Sequence, residues 1–261
     1  MERTRIKRAT WMTAVLLFCA LLTFGCSDSD NDHDRDAASP DAPATVTAAF
    51  GFEEGLQGWE GGFSDYTFEF ADMDSLTYAY RELPEGLNMP GGAPYVSGAN
   101  SADDLFMFMK RQLDDAAGLL PDTTYKIDFH IEFATDSPSG CMGIGGAPGE
   151  AVRVKAGATT DEPEVVVEDE AYRMNIRKDR GLDPEEKLDM VTIGHVGNNA
   201  GDCHDWVWEI KTLEYEGFEA ATDENGSIWL IVGTDSGFEG TTSLYYTNIE
   251  AVLTPVEAEV E

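Results

Sequence analysis

The densest group of reactive side chains is Asp202-Cys203-His204-Asp205, with His195 just upstream and a second cysteine, Cys141, much earlier in the chain. Three chemistries use such residues. Zinc takes Cys and His, but its ligands usually come in paired short spacings such as C-x-x-C, and the chain has none. A His beside a carboxylate can act as a general base, yet sequence neighbours at a turn commonly just face water. A Cys141–Cys203 disulfide is the third, and it depends on the compartment. The run Gly140–Gly149 has the glycine content of a ligand-cradling loop. It lacks the Gly-Lys-Ser/Thr end of a phosphate loop, and Pro148 breaks any helix start. It reads as a long turn, close enough to bare backbone to admit a ligand. Sugar binding calls for exposed aromatic rings beside polar groups. Trp59, Trp206 and Trp208 are the candidates; Trp229 sits in an apolar run that favours burial.

The first residues set the compartment. Arg3, Arg5, Lys7 and Arg8 precede an apolar run, Ala14 to Phe24, broken at once by Ser27-Asp28-Ser29-Asp30. That order is a secretory signal, and the run is too short to span a bilayer, which takes roughly 20 residues. Thr23-Phe24-Gly25-Cys26 resembles the cleavage site of bacterial lipoproteins, keeping its Gly-Cys end with Thr and Phe in place of the usual Leu and small residue. The resemblance implies cleavage after Gly25, lipidation of Cys26, and anchoring to the bacterial cell envelope, at the outer membrane. Residues 26–45 are rich in Ser, Asp, Ala and Pro and read as a flexible acidic tether. Its alternating Asp residues lack the Gly turn and distal Glu of a calcium loop. Cys19 leaves with the signal and Cys26 carries lipid. Two cysteines then remain in an oxidising compartment, where they pair. Closing a loop of about 60 residues is worth about 4 kcal/mol in the chain-entropy model.

Charge excludes one class of partner. Removing residues 1–25 takes away four basic residues and Glu2, so the formal charge of −33 becomes −36. Nucleic acid needs a basic face to displace counterions; this chain has none to offer. Contact with a membrane is expected through the lipid anchor only.

After residue 46 the sequence alternates. Tyr125, Ile127, Phe129, Ile131 and Phe133 interleave with Lys126, Asp128, His130 and Glu132, a strand with one apolar face. Similar candidates are Val46–Phe52, Tyr66–Phe70, Leu76–Glu82, Leu105–Leu113, Ala151–Ala156, Tyr172–Ile176, Met190–His195, Trp206–Leu213, Ser227–Gly233 and Leu244–Leu253, divided by Gly and Pro. Asp183–Leu188 could form one helical turn capped by Asp183. Ten or eleven short strands predict an all-β, two-sheet antiparallel sandwich over 46–255, with an acidic tail at 256–261.

Three stretches resemble the jelly-roll domains of the carbohydrate-binding-module and galactose-binding-like type. Phe50-Gly51-Phe52-Glu53-Glu54-Gly55-Leu56-Gln57-Gly58-Trp59 is similar to their first strand and turn. Gly118-Leu119-Leu120-Pro121-Asp122-Thr123-Thr124-Tyr125 is similar to the entry of a central strand, and Ser243–Val252 to the last strand. The resemblance implies a jelly roll and, in many members, a structural calcium ion between an acid of the first strand and an Asp of the last. Glu53 holds the first position. Thr247 stands at the second, beside Asn248. The expected ligand is a glycan or another extracellular molecule. A structural or adhesion lipoprotein without a small-molecule site is the alternative, and a polysaccharide-acting enzyme a third. The glycosidase pattern Glu-x-Asp-x-x-Glu and the Ser elbow G-x-S-x-G are both absent.

Overall fold

The computed structural model describes residues 44–70, 75–101, 104–178 and 187–257. The signal peptide, Cys26, nearly all of the tether and the core of the expected helical turn at 183–188 lie outside them. In chain order the strands are β1 (Val46–Gly51), β2 (Glu60–Ser64), β3 (Tyr66–Thr67), β4 (Thr77–Glu82), β5 (Gly92–Ala99), β6 (Leu105–Leu113), β7 (Thr124–Thr135), β8 (Val152–Thr159), β9 (Val165–Glu168), β10 (Ala171–Met174), β11 (Met190–His195), β12 (Glu209–Ala221), β13 (Ile228–Ser236) and β14 (Thr241–Pro255).

Two antiparallel sheets carry the fold. Sheet A runs β12-β7-β14-β5-β4, with β1 also paired to β14, and sheet B runs β11-β8-β13-β6-β2. The chain alternates between them: β5 lies in A, β6 in B, β7 in A and β8 in B, and β11 to β14 alternate in the same way. This is the jelly-roll sandwich expected from the sequence. Strand periodicity places the core. Ile127, Phe129, Ile131 and Phe133 of β7 face Leu105, Met107 and Met109 of β6 and Leu230 and Val232 of β13 between the sheets.

The odd residues out on sheet B explain a second layer. Phe106, Phe108 and Ile231 point away from the main core, which in a simple sandwich would leave them in water. A small sheet, β3-β10-β9, answers this. Met174 at the end of β10 and Ile176 just beyond it pack with Met190 on that outward face. Charged groups lie alongside, with Lys155, Lys178 and Asp65 buried. Lys155 of β8 lies 2.9 Å from Asp235 of β13. Lys178 contacts Asp65 and approaches Asp235 at 3.7 Å. Arg173 reaches Asp65 at 3.8 Å and Asp104 at 3.5 Å.

Three strands escaped the sequence reading, and in two of them glycine and proline are the reason. In β2, Gly61 and Gly62 lie under rings: an added Cβ would fall 2.2 Å from the Tyr78 ring and 2.5 Å from that of Phe108. In β5, Pro94 lies one residue past the stretch paired to β14, where no partner on that side needs its missing N–H. β9 is a short strand of the covering sheet, mostly exposed. Tyr66–Phe70 is a strand only over its first two residues and a 3-10 turn after that. The strand expected from Trp206 begins at Glu209 instead, so Trp206 and Trp208 belong to the preceding loop.

Candidate functional site

The site is organised by the long last strand. β5 pairs with Thr241–Tyr245 of β14, and β1 pairs with Asn248–Leu253 on the same edge. A bulge between Tyr246 and Asn248 on the β7 side falls at the change of partner. The outward face of sheet A beside this junction carries a row of rings. Tyr245 stands in register with Tyr95, their ring centroids 4.8 Å apart. Ala79 and Ala134 occupy the same row on the flanking strands, so small side chains border the two rings. Trp208 meets Tyr245 edge to face at 5.2 Å. The Arg81 guanidinium lies 4.1 Å over the Tyr95 ring. Hydroxyls line the other side: Tyr95 Oη and Ser243 Oγ are 3.0 Å apart, and Ser97 Oγ is 2.9 Å from Ser243 Oγ.

Burial tunes the two acids of this shelf. The Tyr245 phenol is pushed up by burial first, then by Tyr95 and Asp136, with Arg81 opposing. The Asp136 carboxyl is raised by burial, against a hydrogen bond to its own backbone. Two tyrosines and a tryptophan thus form an amphipathic surface, with ring faces for apolar C–H groups and an arginine, an acid and serine hydroxyls for polar ones.

A hollow of about 910 Å³ adjoins the shelf where β1 ends and β5 begins. Thr247 lies two residues from Tyr245, about 7 Å along the strand. Glu53, Glu54 and Gln57 of the β1–β2 loop form one wall, Leu83 and Met89 of the β4–β5 loop another, and Glu132, Thr247 and Asn248 the floor. The first wall is held in place. Tyr80 Oη donates to the carbonyls of Phe52 at 3.0 Å and Glu53 at 2.7 Å, and Gln57 Nε2 donates to the Gly51 carbonyl. The close approach of the second wall requires glycine: a Cβ at Gly92 would sit 2.7 Å from the Arg81 carbonyl oxygen.

No family model matches the chain, and no curated protein matches it. Solved structures do. A family 61 carbohydrate-binding module in complex with β-1,4-galactotriose aligns with a TM-score of 0.35 and 9% identity, over 77% of this chain and 90% of the module. The K1 cleaved adhesin domain of Lys-gingipain from Porphyromonas gingivalis W83 aligns at 0.34 and 12%, over 79% of this chain and 97% of that domain. The C-terminal family 22 carbohydrate-binding module of Clostridium thermocellum Xyn10B aligns at 0.33 and 12%, over 85% of this chain and 100% of the module.

The residues singled out in the sequence divide three ways. Glu53, Thr247 and Asn248 come together in the hollow, and the structure adds Glu132, whose Oε1 accepts the Thr247 hydroxyl at 2.7 Å. Among the described residues no three His, Cys, Asp or Glu side chains converge on one metal position. Trp208 lies in the shelf. Trp59 does not: it is 2% exposed and packs edge-on to Phe50 and Phe52 at 5.5 and 6.3 Å, which removes it as a platform. Trp206 is exposed at the surface of its loop, outside the ring row. Tyr95, Tyr245 and Arg81 were missed. Tyr245 alternates with the core residues Leu244 and Tyr246, and that pattern alone marks it as outward-facing.

Cys141 and Cys203 form the expected disulfide, with Cα atoms 5.5 Å apart. The bond consumes the Cys203 thiol and closes the zinc reading. Asp202 accepts the backbone N–H groups of His204 at 2.8 Å and Asp205 at 3.1 Å, so the titratable cluster is a turn. The bridge joins the Gly140–Gly149 loop to the β11–β12 loop. The two backbones touch there: a Cβ at Gly149 would fall 2.8 Å from the Gly197 Cα.

Proposed function

We propose that this is the glycan-binding domain of an exported lipoprotein, and that Trp208, Tyr245, Tyr95 and Arg81 form its binding shelf. One observation carries the reading: three contiguous rings and a stacked guanidinium stand on an outward sheet face whose neighbouring positions are filled by alanine. A pyranose presents a flat patch of C–H groups ringed by hydroxyls. The rings offer a surface for the first, and Arg81, Asp136 and the Ser97–Ser243 hydroxyls offer partners for the second. The adjoining hollow gives room for a second sugar unit. Calcium belongs to the same proposal. Glu53 and Glu132 bring carboxylates, and Thr247 and Asn248 neutral oxygens, to one space; a calcium ion takes six to eight oxygen ligands, so water would complete the set.

A glycan array probed with the domain, in calcium and in chelator, tests the reading. Binding by the wild type and its loss in Tyr245→Ala are expected; no bound glycan, or equal binding by the variant, rejects it. A melting temperature unchanged by calcium and chelator rejects the ion. The anchor is tested separately. A fatty-acid analogue fed to cells should label the wild type and spare Cys26→Ala, and equal labelling would sink the lipoprotein claim.

A further inference from the structure

The buried charges over sheet B hold a group of atoms that the glycan site does not use. Lys178 and Asp65 are in direct contact, and their side chains are 3% and 2% exposed. The Lys178 nitrogen also lies 4.0 Å from the centre of the Phe106 ring. A third group, Asp235, approaches the same nitrogen at 3.7 Å and is itself fixed by Lys155 at 2.9 Å. Ser64 Oγ donates to Asp65 Oδ2 at 3.2 Å, and Arg173 Nη1 sits 3.8 Å from Asp65 Oδ1. An amine and a carboxyl are therefore held together out of water, with a partly exposed carboxylate, Asp235, beside them as a proton carrier.

We propose that Lys178 and Asp65 join in an intramolecular amide bond. Lys178 Nζ passes a proton to Asp235 and attacks Asp65 Cγ, forming the C–N bond. Arg173 faces Oδ1, where negative charge grows, and that oxygen becomes the amide carbonyl. Oδ2 leaves as water. Two of the three ammonium protons depart on that water, one of them by way of Asp235, and the third stays on the amide nitrogen. Atoms and charge balance with no other reactant: an ammonium and a carboxylate give an amide and water. Two features favour the step. Lys178 Nζ already touches the carboxyl group it would attack, through Oδ2, which replaces the entropy of encounter. The product also removes two charges from a buried site, where each is costly to keep. The bond would fasten the segment after β10 to the end of β2 and lock the covering layer onto sheet B.

The test uses the full chain, purified, reduced, denatured and digested with trypsin. A branched peptide linking Lys178 to Asp65, one water lighter than its two parts, is expected. Lys178 should also resist an amine-acylating reagent in the denatured protein. Full acylation of wild-type Lys178 with no branched peptide overturns the proposal. Asp235→Asn keeps both bonding partners and should abolish the branched peptide while the near-ultraviolet circular dichroism and the Cys141–Cys203 bridge persist. A folded Asp235→Asn protein that still carries the bond overturns the role given to Asp235. If that variant does not fold, the wild-type peptide alone decides for or against the bond.

Discussion

From Lys126 to Glu132 on sheet A the residues that point away from the core meet solvent, while on sheet B Phe106, Phe108 and Ile231 disappear under a second layer. β7 exposes or half-exposes Lys126, Asp128, His130 and Glu132 on its outward face. β6 buries Phe106 and Phe108 on its own. The difference is chemical as well as geometric. Rings on sheet A retain hydroxyls, and Arg81 lies over one of them. Rings on sheet B are bare phenyls sealed by Met174, Ile176 and a buried network of lysines and aspartates. One face is suited to stay in water and meet a ligand; the other has become interior. Substitutions on the two should therefore fail in different ways.

The largest effect belongs to the covered face. Phe106→Ala should cost about 3–5 kcal/mol, the usual range for a buried Phe, and leave glycan affinity per folded molecule unchanged, as measured by denaturant unfolding and by titration of the folded fraction. Lost affinity with intact stability would reverse the assignment of the faces. The Cys141→Ser, Cys203→Ser double variant comes next. Its cost should be about 4 kcal/mol in the chain-entropy model, with new protease cleavage near the exposed Met142 and Ile144. An unchanged unfolding midpoint would count against it. Trp208→Ala on the open face should cut glycan affinity at least about tenfold, or 1.4 kcal/mol. Its effect on stability should stay within the roughly 0.5–1.5 kcal/mol of one aromatic pair.

Smaller effects sharpen the contrast. Burial holds the folded-state value of Asp136 above the usual 3.8. For a raised value, the stability contribution is full below the usual value and is lost as pH rises through the raised one. Asp136→Asn should therefore melt above the wild type at neutral pH and show no advantage in acid. An advantage that grew in acid would contradict the direction of the shift. The smallest effect is general. Sodium chloride near 1 M, where the screening length is about 3 Å, should raise the melting temperature by relieving repulsion among the exposed carboxylates. A falling curve would mean that the buried pairs of sheet B, rather than the open surface, govern the salt response.

Much of the frame was legible because period-two alternation reports one buried face. β6 and β11 have the bounds that their sequences suggest, and the Glu53–Thr247 encounter was implied by the resemblance to jelly-roll modules. Alternation has less to say where both faces are buried. Leu105 to Met109 is a continuous apolar run, and nothing in it foretells that Phe106 and Phe108 meet a separate layer. The shelf was hidden for another reason. Tyr95 lies in a strand punctuated by Gly92, Pro94 and Gly98, which read as turn. Its partnership with Tyr245 is a matter of register between residues far apart in sequence. Trp59 shows the reverse error, since residue type alone cannot separate a core indole from a platform. Glu132 needed the β7–β14 register, which sets it opposite Asn248.

The pairing of β1 with β14 also bears on how the domain would carry mechanical tension. Val46 lies opposite Leu253, so the chain enters sheet A at the end of β14 remote from Tyr245, roughly 25 Å away along the strand. A pull on a ligand at the shelf, resisted from the N-terminal side of Val46, would draw β1 and β14 in opposite directions along their common axis. Its hydrogen bonds would then be strained together in shear, rather than opened one after another as in unzipping. The short strand of six residues would yield at a higher force than its length suggests.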